Sequence, residues 1–271
     1  NSATRTTATT TRMSDQDHRE EEAVRRILLA LTSGEDRLAL EAAAALAEHL
    51  SARLDGLFHQ DPDLTRLAGL PFAREIALST AESRPLAASQ LEREQRAQAA
   101  TVEQLLRRRA GRGVQWSFTV VRERYPSLLP AGEAEPALYV LGRPPSRHGL
   151  PHATEKGPVL VLYDGSESAL RALPPAAALA AHSGLELVVL IPAAGVEEWK
   201  RAREAAVAAL AGTDGTARYL SLPADAAGQL DRTARGHRAS LLVVGQGSLP
   251  HDRLALHGLL ERMPCPMVVA R

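Results

Sequence analysis

Two short segments of the chain carry residue types suited to holding a nucleotide. They are residues 164–168 (DGSES) and residues 245–248 (GQGS). A carboxylate such as that of Asp164 can accept hydrogen bonds from a ribose or an adenine, and a glycine beside it permits a tight turn or close ligand approach. Glycines before a helix leave backbone N–H groups to face phosphate oxygens, and the helix dipole favours the anion. The candidate nucleotide-binding residues are Asp164, Gly165, Gly245, Gly247 and Ser248.

Each segment also has an explanation that involves no ligand. Ser166 or Ser168 can cap the following helix, which makes residues 164–168 a strand-to-helix turn with nothing bound. Residues 245–248 match neither G-x-G-x-x-G nor a Walker A motif, because no lysine follows at the required place. The residue chemistry alone leaves both explanations open.

The runs that precede the two segments predict the strands that position them. Residues 159–163 and 241–244 are apolar at every position, which is typical of strands buried on both faces of a parallel sheet. Ligands bind such sheets at the carboxyl ends of strands, where the strand order reverses. We therefore expect the two segments to meet in one crevice.

The rest of the chain alternates predicted strands with predicted helices, which indicates βαβ units with right-handed crossovers. The predicted strands are 26–31, 54–59, 114–121, 137–141, 159–163, 185–191, 217–222, 240–244 and 266–270. The predicted helices are 36–53, 88–110, 168–182, 196–211, 224–237 and 250–263. The expected fold class is α/β, a doubly wound parallel sheet built from two tandem units.

Composition shifts along the chain predict four parts. Residues 1–22 form a threonine-rich leader that we expect to be disordered, and residues 143–157 form a linker rich in proline and glycine. Residues 23–142 are a degenerate unit with no final helix and strand, and residues 158–271 are the fuller unit. The insertion at residues 61–85 is expected to pack its apolar side chains or to cover a cleft as a lid.

Composition argues against several classes of protein. The 271 residues are 45% hydrophobic, and 32 basic residues balance 32 acidic ones, which argues against nucleic acid as a partner. No apolar stretch reaches the length of a membrane span. The single cysteine, Cys265, allows no disulfide within one chain and suits a reducing compartment. We therefore predict a cytoplasmic protein that binds neither nucleic acid nor membrane.

Residues for catalysis or metal binding are not evident in the sequence. We find no nucleophile–base pair and no paired acid–base carboxylates, so we predict neither a catalytic residue nor an enzymatic activity. The pairs His148/His152 and His251/His257 have no acidic residue that completes a metal site. Cys265 is expected to be a packed, inert thiol.

Three motifs of the second unit, taken together, resemble the universal stress protein family. They are residues 161–170 (VLYDGSESAL), 240–245 (SLLVVG) and 263–269 (MPCPMVV). The resemblance covers residues 157–271, and the first unit resembles a divergent second copy. It implies a Rossmann-like, adenine nucleotide alpha-hydrolase-like fold with five parallel strands. It also implies self-association, because many members of the family dimerise through the last strand.

The resemblance is incomplete where some family members bind ATP through the motif G-x2-G-x9-G-[ST]. Counted forward from Gly245, the second glycine position holds Ser248, and the third falls on Gly258, which no Ser or Thr follows. Counted back from residues 264–266, the third glycine position holds Arg253. The resemblance therefore leaves ATP, a smaller nucleotide such as AMP, or no nucleotide as the ligand. In the first unit Thr32 stands where the Asp is expected, and we expect no nucleotide there.

Two functional hypotheses lead. The first is a stress-response regulatory protein that binds an adenine nucleotide in the second unit and acts on an unknown regulatory protein. The second is a nucleotide-independent dimeric interaction module that uses residues 267–270 as an exposed edge strand. Self-association either pairs the two units within one chain or joins two chains as a homodimer. An ATP-hydrolysing enzyme is a third, less favoured hypothesis.

Overall fold

The strands and helices predicted from the apolar runs are present, most of them with shifts of a few residues at their ends. The predicted helix 224–237 is described as Leu230–Gly236, and residues 225–228 of it lie outside the described residues. The computed structural model describes residues 26–33, 36–76, 81–110, 113–122, 137–143, 156–213, 215–224 and 229–271. The predicted leader 1–22 and nearly all of the linker 143–157 lie outside these residues. The strands are β1 Arg26–Leu31, β2 Arg53–His59, β3 Arg74–Ile76, β4 Ser83–Pro85, β5 Trp116–Val121, β6 Leu138–Leu141, β7 Val159–Leu162, β8 Leu187–Pro192, β9 Ala217–Leu222, β10 Leu241–Gly245 and β11 Met267–Ala270. The helices are α1 Arg37–His49, α2 Pro62–Ala68, α3 Ala88–Arg109, α4 Glu167–Ser183, α5 Val196–Ala209, α6 Leu230–Gly236 and α7 Arg253–Arg262.

Nine of the strands form one sheet, in the order β5-β2-β1-β6-β11-β10-β7-β8-β9. Every neighbouring pair is parallel except β6 with β11. We call β1–β6 the first half and β7–β11 the second half. In the first half β1 lies between β2 and β6, and in the second half β7 lies between β8 and β10. The strand order therefore reverses beside β1 and beside β7. The predicted doubly wound α/β fold is confirmed.

Helices cover both faces of the sheet, which explains why the central strands are apolar at every position. Helices α1, α3, α4 and α5 pack on one face, and α6 and α7 pack on the other. In β7, Val159 and Val161 point to the first face, while Leu160 and Leu162 point to the second. All four side chains are fully buried, and each apolar side chain so buried contributes about 1.5–3 kcal/mol.

The final strand differs from the expectation, because β11 is not an exposed edge. It pairs in parallel with β10 on one side and antiparallel with β6 on the other, and its four residues are buried. The first half has only four strands in the sheet, so β11 lies where a fifth strand of that half would pair with β6. A Val268→Pro substitution would therefore disrupt the interior of the sheet and would not report on a dimer interface.

The insertion at residues 61–85 also differs from the expectation that its apolar side chains pack. It forms α2, which lies beside α3, and the hairpin β3–β4. Large apolar side chains remain exposed along it: Leu64, Leu67, Leu70, Phe72 and Ile76. The packing that the apolar spacing predicted is therefore wrong for these side chains.

Helix α1 ends earlier than the apolar pattern predicted, at His49 rather than at Arg53. Ser51 has a φ of 49°, which is a left-handed conformation that stops a right-handed helix. The chain then enters β2 at Arg53. The left-handed conformation of Ser51 therefore sets the end of α1, and the hydrophobic pattern does not indicate such a conformation.

Candidate functional site

The two candidate segments lie side by side at one edge of the sheet. Strands β7 and β10 are parallel neighbours, with Val161 opposite Val243. Residues 164–168 follow β7 and enter α4, while residues 246–248 follow β10 as a short 3-10 turn. The expectation that both segments meet at the carboxyl ends of adjacent strands is confirmed.

A direct hydrogen bond joins the two segments. The Ser248 hydroxyl donates to Asp164 Oδ2 at 2.7 Å, and the Ser166 N–H donates to Asp164 Oδ1 at 2.9 Å. Burial raises the pKa of Asp164, but the hydrogen bonds from Ser166 and Ser248 lower it, and the net pKa lies below the ordinary carboxyl value. The carboxylate is therefore ionised at neutral pH and accepts hydrogen bonds without donating any.

The first turn of α4 supplies two serine hydroxyls to this edge. Ser166 is the N-cap, and its Oγ accepts the N–H of Ala169 at 3.2 Å. Ser168 Oγ accepts the N–H of Gly247 at 3.2 Å. The capping role that the sequence left open therefore belongs to Ser166. The contact of Ser168 with the glycine turn was missed, because it joins residues from two different strand ends.

Gly245 is the point where β10 and α4 touch. A Cβ atom on Gly245 would stand 2.5 Å from the backbone nitrogen of Ala169 and 2.6 Å from the carbonyl carbon of Ser168. No side chain fits at such distances, so the glycine permits the helix N-terminus to reach the strand end. Gly245 thus has a packing role in addition to the predicted ligand-binding role.

Gly165 takes a backbone conformation that favours glycine, with a φ of 81°. We expect Gly165→Ala to lower the free energy of unfolding by about 1–2 kcal/mol, because an L-residue is strained in the left-handed region. An added Cβ would meet no atom within 4 Å, so backbone strain is the sole cause. Chemical denaturation measures the loss. The matched control is Gly236→Ala, at the last position of α6 and outside the left-handed region, and an equal loss in both variants would contradict this explanation.

At the corresponding place in the first half, a carboxylate joins the start of a helix to the turn after a strand. Asp36 caps α1 by accepting the N–H of Ala39 at 3.2 Å, and its other oxygen accepts the N–H of Arg143 after β6. A Cβ on Gly142 would stand 2.4 Å from the side chain of Leu31 and 3.2 Å from Asp36 Oδ2. In the first half the capping carboxylate of Asp36 therefore also contacts the turn after β6, whereas in the second half Ser166 caps the helix and Ser168 contacts the turn.

The structure separates the two alignments of the ATP motif. Gly258 lies well inside α7, whereas Arg253 is the first residue of that helix. The count from residues 264–266 therefore places the third motif position at the start of the helix. Asp252 caps α7 and accepts the N–H of Ala255 at 2.8 Å, so a carboxylate lies beside the amides that a terminal phosphate would approach.

Three further features belong to the described part of the chain. Cys265 is buried, and burial is the main cause that raises its pKa to about 12, as expected of an inert thiol. No group of three or more His, Cys, Asp or Glu side chains suited to a metal ion occurs among these residues. None of the helices described is both long enough and apolar enough to span a membrane.

Comparisons with known proteins return solved structures only. No family model and no curated protein matches the chain. A universal stress protein in complex with cAMP is 25% identical, covers 42% of this chain and 96% of its own, and has a TM-score of 0.35. A putative universal stress protein from Pseudomonas aeruginosa UCBPP-PA14 is 16% identical, covers 92% of this chain and 93% of its own, and has a TM-score of 0.42. A universal stress protein from Archaeoglobus fulgidus DSM 4304 is 13% identical, covers 91% of this chain and 96% of its own, and has a TM-score of 0.46. In its motifs, and among the solved structures that match it, the chain is similar to universal stress proteins.

Proposed function

We propose that the chain is a stress-response regulatory protein whose second half binds an adenine nucleotide. One observation carries the proposal: Asp164 and the glycine turn meet through the 2.7 Å hydrogen bond from Ser248. The ionised carboxylate suits the hydroxyls of a ribose or the amino group of an adenine. The turn and the first turn of α4 present backbone N–H groups to a phosphate. These groups lie at the carboxyl ends of β7 and β10, where a ligand of this fold class binds.

Binding exchanges internal hydrogen bonds for bonds to the ligand. In the free protein Ser248 donates to Asp164, and Gly247 donates to Ser168. The bond to the ionised Asp164 contributes about 1.5–3 kcal/mol, and the neutral bond between Gly247 and Ser168 contributes about 0.5–1.5 kcal/mol. A nucleotide therefore has to replace them with a ribose hydroxyl or adenine amino group that donates to Asp164 and with a phosphate oxygen that accepts from Gly247.

The nucleotide that fits best has few phosphates. The Asp252 carboxylate caps α7, so a phosphate chain extended toward that helix would meet a like charge. Leu254 stands where ATP-binding relatives have a Ser or Thr, and its side chain is 81% exposed. We therefore expect affinity to fall in the order AMP, ADP, ATP. Because a similar solved structure is a cAMP complex, cAMP is titrated as well.

Titration calorimetry with AMP, ADP, ATP and cAMP tests the proposal. We expect Asp164→Ala to weaken AMP binding about tenfold or more, since a hydrogen bond to a charged group contributes about 1.5–3 kcal/mol. The matched control is Glu167→Ala, which removes a neighbouring carboxylate that pairs with Arg171 at 2.6 Å. The control should bind as the unsubstituted chain does. The absence of heat at millimolar concentrations of all four nucleotides would end the proposal.

The proposal assigns no catalytic step to the chain and places it in the cytoplasm. Incubation with ATP should release phosphate at the rate of a protein-free blank, and faster release would favour the enzyme hypothesis. The alternative of a nucleotide-independent dimeric module has lost its motivating observation, because β11 is paired on both sides. Self-association and a regulatory protein partner stay expectations, and AMP binding in the titration would count against the nucleotide-independent module.

A further inference from the structure

The two halves place different side-chain oxygens beside equivalent glycines. In the first half, Asp36 Oδ2 lies 3.2 Å from the position of a Cβ on Gly142. In the second half, Ser168 Oγ lies 2.6 Å from the position of a Cβ on Gly245. Each oxygen comes from the start of the helix that follows the first strand of its half. Asp36 also accepts a backbone N–H from the turn after β6, and Ser168 accepts one from the turn after β10.

We propose that the charge of this side chain decides which half accepts a phosphate group. Asp36 is an internal anion that closes the crevice of the first half, and Ser168 is a neutral, displaceable group that leaves the second half open. The part of this inference that concerns nucleotide binding rests on the proposed function. It goes further by naming the residue that confines an anionic ligand to one place in the chain.

The contacts of Asp36 are those of a bound anion. Its two carboxylate oxygens accept the N–H of Ala39 in α1 and the N–H of Arg143 after β6. Hydrogen bonds to an ionised acceptor are about twice as strong as neutral ones. The Arg143 guanidinium also donates to the carbonyl of Pro264 at 3.3 Å, which ties the turn to the segment before β11. A phosphate that approached these N–H groups would compete with the Asp36 carboxylate for them and would be repelled by its negative charge.

The contacts of Ser168 permit an anion to enter the second half. Its hydroxyl accepts the N–H of Gly247 at 3.2 Å and lies 3.3 Å from the Ser166 hydroxyl. A serine hydroxyl is uncharged and can rotate. It can therefore release the amide of Gly247 to an entering anion without opposing that anion with a charge.

The first arm of the test introduces the charge into the second half. We expect Ser168→Asp to weaken AMP binding at least about tenfold in calorimetry, and Ser168→Ala to bind AMP within about threefold of the unsubstituted chain. Circular dichroism and the melting temperature confirm that both variants fold. Equal AMP affinity in Ser168→Asp and the unsubstituted chain would overturn the inference.

The second arm removes the charge from the first half and does not depend on nucleotide. Serine is also a good N-cap, so Asp36→Ser should fold, and Asp36→Asn is the second variant. We expect inorganic phosphate, compared with chloride at equal ionic strength, to raise the melting temperature of both variants more than that of the unsubstituted chain. The control is Asp61→Ser, which makes the same exchange of a capping carboxylate for a hydroxyl at the N-terminus of α2. A phosphate response no larger than in this control would overturn the inference.

The two arms separate failure of this inference from failure of the proposed function. If the unsubstituted chain binds no nucleotide while the Asp36 variants gain a phosphate response, the proposed function fails and the role of Asp36 stands. If the unsubstituted chain binds AMP and Ser168→Asp binds it equally well, the proposed function stands and the inference fails.

Discussion

Gly245→Ala is expected to lower the free energy of unfolding by about 3 kcal/mol, at the upper end of overpacking substitutions. The added Cβ would stand 2.5 Å from the nitrogen of Ala169 and 2.6 Å from the carbonyl carbon of Ser168. Both atoms belong to the backbone of α4, so the helix must move away from β10. Thermal unfolding followed by circular dichroism should show a melting temperature lower by roughly 6–12 °C.

Two other glycines serve as controls for this prediction. Gly236→Ala adds a Cβ that meets no atom within 4 Å and should change stability by less than about 0.5 kcal/mol. Gly247→Ala brings a Cβ to 3.1 Å from the Ser168 hydroxyl, which can rotate away, so its effect should be intermediate. Melting of Gly245→Ala within 1–2 °C (about 0.5 kcal/mol) of the unsubstituted chain would show that α4 is not held against β10 at this point.

Asp55→Asn is expected to lower the free energy of unfolding by about 2 kcal/mol. The carboxylate of Asp55 is buried in the first half. It accepts hydrogen bonds from the Arg53 guanidinium at 2.9 Å and the Ser117 hydroxyl at 2.6 Å, and it also pairs with Arg26. The two arginine side chains are 41% and 47% exposed, so water can solvate them after the substitution. The loss is therefore smaller than for a fully buried ion pair.

The pH dependence of this loss has a defined sign. Burial raises the pKa of Asp55, but hydrogen bonds from Ser117, Arg26 and Arg53 outweigh burial and hold the pKa below its ordinary value of 3.8. A carboxyl group with a lowered folded pKa stabilises the fold above its unfolded pKa and loses that contribution as the pH falls through the folded pKa. The stability difference between the unsubstituted chain and Asp55→Asn should be constant above about pH 5 and shrink below about pH 4. Urea denaturation at several pH values measures it, and a difference independent of pH down to about 2 would refute this role.

The central part of the fold and of the site could be predicted because its signal is local. Residues 159–162 and 241–244 are apolar at every position, and strands of this kind are buried on both faces of a parallel sheet. A strand followed by a small or acidic residue and a helix then places Asp164 and Gly245 at one edge. The same rule made the candidate site predictable as a set of residues, before any distance between them was known.

The remaining features depend on contacts between residues far apart in the sequence. No pattern in residues 267–270 indicates that β6, rather than solvent or a second chain, pairs with β11. The apolar spacing of the insertion predicted packing, yet Phe72 is 75% exposed, because spacing shows which face is apolar and not what lies against it. The contact of Ser168 with Gly247 joins residues 79 positions apart.

The sequence by itself determined the α/β class, the central strands and the segments that end them, because periodicity and turn residues act over a few neighbouring positions. The tertiary structure alone decided that β11 is enclosed, that α4 touches Gly245 and that Asp36 joins the start of α1 to the turn after β6. Each of these depends on which elements pack together across the sheet. That choice is made by the free energy of the whole arrangement and not by any local stretch of residues.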